Sequence, residues 1–184
     1  EQLEEMSEEA ITTLQEKAPE TTVKLYLNLD VNNTNSALME KLAPKPDQIE
    51  LMPVETFSVS QVVALVQRMT VSYSVISRLS TKQRMQTLFS MTTSCGCASE
   101  QTKQIAPDGV SVDEQTGEID LTEEAASEEN LSPEIIAEIE PEQVAKIKPT
   151  VFGFLTVTQI VSFNAEAWGV FTPQIVANLS PKSF

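Results

Sequence analysis

Few residues in this chain could do chemistry, and their types narrow the choice. There is no histidine, which removes the commonest general base, the usual partner of a Ser or Cys nucleophile and the usual zinc ligand. The two cysteines, Cys95 and Cys97 in "SCGCAS", are too few and too close for a four-ligand zinc site. A bond between them would close a strained small ring. In a secreted protein each would pair with another chain or a segment outside this one, and otherwise both are free thiols in a loop. They are the candidate disulfide residues.

Carboxylates are abundant, with 27 Asp and Glu against 12 Lys and Arg and a net charge of −15. That balance repels phosphate backbones and acidic lipid, so nucleic acid is excluded as a partner. No spacing singles out a converging pair of acids, and no catalytic residue is assigned. A calcium loop in "SVDEQTGEIDLTEE" fails on its ligands. With Gly117 at the loop glycine, Val112 falls where an Asp is needed; Glu123 falls at the last ligand position, but Gln115 and Glu118 add no pattern. No metal or cofactor is expected. Three Asn-x-Ser/Thr triplets begin at Asn32, Asn130 and Asn178. Asn32 and Asn130 lie in loops and are the candidate glycan acceptors. Asn178 lies between packed repeats and should stay bare.

The elements that would position such residues read as mostly helical. "SEEAITTLQEKA" offers Ser7 as a helix cap with acids in the first turn. Residues 22–31 alternate Val23, Leu25, Leu27, Leu29 and Val31 with polar residues, which favours a strand. Val23, Leu27 and Val31 also lie four apart and fit a helix face. Helices follow in "SALMEKLA", in "FSVSQVVALVQRM" and in the stretch holding Arg78, Lys82 and Arg84. "GVSVDEQTGEIDL" reads as a small hairpin whose turn uses Gly117. Gln104 to Ala145 carries 13 acids and no Lys or Arg, so its "TEEAASEEN" portion reads as an exposed linker. No apolar run reaches the roughly 20 residues of a membrane span. The chain opens without Met or a signal peptide, and it closes inside a further repeat. We read it as a mature product or a fragment.

From Leu131 the chain divides into octads without insertion: LSPEIIAE, IEPEQVAK, IKPTVFGF, LTVTQIVS, FNAEAWGV, FTPQIVAN, LSPKSF. The first row is Leu131, Ile139, Ile147, Leu155, Phe163, Phe171 and Leu179. The sixth is Ile136, Val144, Phe152, Ile160, Trp168, Val176 and Phe184. Every member is apolar. At 41% apolar residues one such row arises by chance roughly once in 500, so two in one register signal a real period. The third row is mostly proline and the seventh mostly small. Proline at the first helical position restarts a short helix and stops the one before it. So short a helix is unstable alone, so rows one and six must form a core between stacked neighbours. Row seven would let adjacent turns approach. The register reaches back to Ile49, Phe57, Ser58, Gln61, Val62 and Leu65, where "FSVSQVVAL" echoes "LTVTQIVSF".

"LSPEIIAE", "IEPEQVAK" and "LSPKSF" resemble the mesothelin, stereocilin and otoancorin family over residues 131–184. The resemblance implies an extracellular superhelical α-repeat protein that serves adhesion at the cell surface, and it carries over no catalytic residue. The combined expectation is a mainly α fold, an α-solenoid of short stacked helices with eight-residue proline-started repeats and a small β-hairpin insertion. Residues 1–94 form a helical repeat region, 95–130 an acidic loop and hairpin linker, and 131–184 the octad solenoid. The function read from this is a non-enzymatic extracellular structural or adhesion segment. Its partners would be proteins, homotypic or matrix, with a homo-oligomer included and no membrane insertion by this segment. A bacterial surface adhesin repeat is the alternative reading, and a carboxylate-based hydrolase the third.

Overall fold

The computed structural model describes residues 7–32, 34–95 and 100–180. Helix dominates, with one two-stranded hairpin. The chain divides into two compact units, Glu1–Arg78 and Leu79–Phe184. The expected boundary near residue 94 therefore moves to the start of a helix that belongs with the second unit.

In the first unit α1 (Glu8–Lys17) starts at Ser7, whose Oγ accepts from Ala10 N at 3.2 Å. Pro19 stands at the first position of α2 (Pro19–Asn28). The strand expected over 22–31 is thus a helix. Thr22, Val23, Tyr26 and Leu27 are buried, which is a helical stripe, while Val31 is exposed. The alternation of Leu25 and Leu29 misled because neither is fully buried. A lone strand here would lack a partner for its backbone, whereas α2 packs on α1, on α3 (Ser36–Leu42) and on α5 (Val59–Arg68). The short α4 (Pro46–Glu50) and α6 (Tyr73–Ile76) also pack together. Ile49, Phe57, Val62 and Leu65, the residues echoing the octads, are all buried.

The chain's three arginines end helices. Arg68 donates to the carbonyls of Tyr26 at 2.5 Å and Leu29 at 2.7 Å, just past the end of α2. Arg78 donates to Met52 O at 2.8 Å and Glu50 O at 3.0 Å behind α4. The last carbonyls of a helix lack intrahelical donors and carry partial negative charge, so a guanidinium fork satisfies both needs.

In the second unit α7 (Thr81–Cys95) is met by α8 (Glu100–Ile105). Arg84 donates to the carbonyls of Ile105 at 3.1 Å and Ala106 at 2.5 Å. The predicted hairpin is present as β1 (Val110–Val112) and β2 (Ile119–Leu121), antiparallel with Val110 opposite Leu121 and Val112 opposite Ile119. Gly117 takes φ +68 in its turn. The segment is not a free linker. Ile119, Leu121, Ala125 and Ala126 are buried, and Ile119 bridges to Ile147 through Ile119 N to Lys146 O at 2.7 Å and Lys148 N to Ile119 O at 2.8 Å. Its acids face outward while its apolar residues dock on the start of an octad.

Gly109 leads into β1 at φ +76, where a Cβ would lie 2.5 Å from Thr122 Oγ1 and 3.2 Å from Ala125 Cβ. Gly109→Ala should therefore cost about 1–3 kcal/mol, from left-handed backbone and a blocked contact together. Gly169→Ala is the control, because nothing lies within 4 Å of its Cβ position. Urea unfolding of both variants checks this, and equal stability would refute it.

The octads then run as α9 (Pro133–Ala137), α10 (Pro141–Val144), a 3-10 helix at Pro149–Gly153, α11 (Val157–Val161), a 3-10 helix at Ala167–Val170 and α12 (Pro173–Asn178). Pro133, Pro141, Pro149 and Pro173 each stand at a helix start, as their fixed φ and missing N–H require.

Candidate functional site

Among the described residues no group of three or more His, Cys, Asp or Glu comes together to hold a metal ion, and no helix is long and apolar enough to cross a membrane. Four surface carboxylates have pKa values below the ordinary one. Glu8 is held down by Lys41, Glu50 by the hydroxyls of Ser72 and Ser74, Asp113 by hydrogen bonds from Thr116 and Gln115, and Glu134 by Ser132. Each environment favours the charged form, the opposite of what a proton donor needs. A polar cleft of about 290 Å³ is lined by Arg84, Asp108, Glu124 and Asn130 among others, but the Arg84 guanidinium is already engaged by carbonyls.

Of the candidate disulfide residues Cys97 lies outside the described residues, as do the side chain of Cys95 and Phe184 of the sixth row. Asn32 is exposed, with its backbone N–H on Asp30 Oδ1 at 2.9 Å. Asn130 is half-buried and donates from Nδ2 to Glu124 O at 3.0 Å. A glycosylated amide keeps one N–H, which can still make that bond. Asn178 donates from Nδ2 to Gln174 O at 2.8 Å.

The surface that stands out is built by the octads. Elements three octads apart pack together: α9 with α11, α10 with the 3-10 helix at 167–170, and the 3-10 helix at 149–153 with α12. Leu131, Ile139, Ile147, Leu155 and Phe163 of the first row are buried, as are Ile136, Val144, Phe152 and Ile160 of the sixth. Two core assignments need correction. Trp168 is 42% exposed and Val176 53%. Phe171 and Leu179 are only partly covered. All four belong to the later octads, whose outer side nothing in the chain's described residues covers.

The seventh row also behaves differently from its expected role. Ala137, Ala145, Val161, Gly169 and Ala177 are exposed, and only Gly153 meets a neighbour, with its Cβ position 3.0 Å from Asn178 O. The row overlooked is the fifth. Ile135, Gln143, Val151, Gln159, Ala167 and Ile175 are all buried. Glutamine recurs there because it caps. Gln143 Oε1 accepts from Glu140 N at 2.8 Å, and Gln159 Oε1 accepts from Thr156 N at 2.9 Å. Gln48, Gln61 and Gln83 do the same for Lys45, Ser58 and Ser80. The signal was the three-residue spacing from cap to Gln that defines a capping box.

Side-chain amides also tie octads together. Gln159 Nε2 donates to Ala126 O and Leu131 O, both at 2.8 Å. Asn164 Nδ2 donates to Ile139 O at 2.9 Å while its Oδ1 accepts from Ala167 N at 2.8 Å. Phe152 contacts Phe163 and Phe171, with ring centroids at 5.9 and 5.4 Å.

Residues 155–178 carry one charged residue, Glu166, whereas residues 131–154 carry six. The exposed large apolar residues of 155–178 are Val157, Val161, Trp168 and Val176. Trp168 leans on Phe171 with centroids 4.6 Å apart. These exposed apolar side chains, with Glu166 the one charged residue of the stretch, stand out on a chain of net charge −15. No family model, no characterised protein and no solved structure matches the chain.

Proposed function

We propose that the chain is a segment of an extracellular α-solenoid of the mesothelin, stereocilin and otoancorin kind, a non-enzymatic scaffold for attachment at a cell surface or matrix. The observation that carries the reading is the packing of each octad on the one three before it, clamped by Gln159 and Asn164 to carbonyls of the earlier turn. A repeat that packs mainly on its neighbours can extend and present a long surface. The largely polar, acidic exterior, broken by a neutral apolar face, supports recognition of protein.

The test is secretion of the chain from eukaryotic cells, followed by glycan mapping and a cell-attachment assay on immobilised protein. Glycan is expected on Asn32, where the side chain is open. Attachment should saturate with coating density and be competed by soluble chain. An unmodified Asn32 would remove the main support for a secreted eukaryotic role and favour the bacterial adhesin reading. Glycosylated protein that tethers no cells would sink the adhesive role.

A further inference from the structure

We draw no further inference here: the strongest candidate, the polar cleft of about 290 Å³ between the start of α7, the turn at Asp108 and Gly109 and the loop holding Glu124 and Asn130, carries nothing, because its Arg84 guanidinium is engaged by the carbonyls of Ile105 and Ala106, its two acids are exposed, and no buried unpartnered side chain among its described lining residues points to a ligand.

Discussion

Gln159→Ala should destabilise the second unit by about 3–4 kcal/mol, the larger part from buried groups left without partners. Gln159 is fully buried. Its Oε1 accepts from Thr156 N at 2.9 Å, and its Nε2 donates to Ala126 O and Leu131 O at 2.8 Å. Alanine removes all three bonds and leaves a void between octads. A carbonyl deprived of its partner away from water costs about 1–3 kcal/mol. Gln61 supplies the comparison. It makes the same capping bond, to Ser58 N at 3.0 Å, but its side chain is only half-buried, so Gln61→Ala should lose about 1 kcal/mol. Urea unfolding followed by the emission of Trp168 reads the second unit directly. A loss below that of a simple cap would mean that water replaces Gln159, and that the turns are not clamped there.

Phe152→Ala should lose about 3–5 kcal/mol, since the ring is fully buried and its neighbours cannot close the space. The ring lies 5.9 Å from Phe163 and 5.4 Å from Phe171, and those two are 5.5 Å apart. Aromatic pairs at such separations add about 0.5–1.5 kcal/mol beyond area burial. Phe152→Leu keeps most of the volume and should cost about 1–1.5 kcal/mol. Thermal unfolding gives both values, and near-ultraviolet circular dichroism should report the loosened rings. Because the three phenylalanines come from three different octads, an unchanged midpoint would contradict packing between octads.

Both substitutions act on contacts the octad register did not by itself reveal. Rows one and six were legible because burial of each octad against others demands apolar residues at a fixed period. The proline starts were legible because ring closure fixes φ and deletes a donor wherever the residue stands. Row five stayed hidden because it mixes Ile, Val and Ala with Gln, and a hydrophobicity pattern scores Gln as surface. The buried amides satisfy backbone groups that only the folded turn brings near. Residues 22–31 misled for the opposite reason. Their alternation is local, and the burial that picks helix over strand comes from α1, α3 and α5. Trp168 and Val176 share a row with buried residues, yet a row states which residues can be covered, not whether a covering turn is there. The candidate surface was thus invisible in the sequence, although the thinning of charge after residue 154 was written in it.

The amino-acid sequence alone determined the helical class, the hairpin near Gly117 and the eight-residue punctuation, because φ restriction, capping and periodicity act over a few residues. Tertiary structure decided the rest. It set which octads meet, why each arginine ends a helix, where Gln159 spends its amide and which apolar residues face solvent. Those outcomes depend on groups 21 to 42 residues apart whose interaction free energies exist only once the chain has brought them into contact.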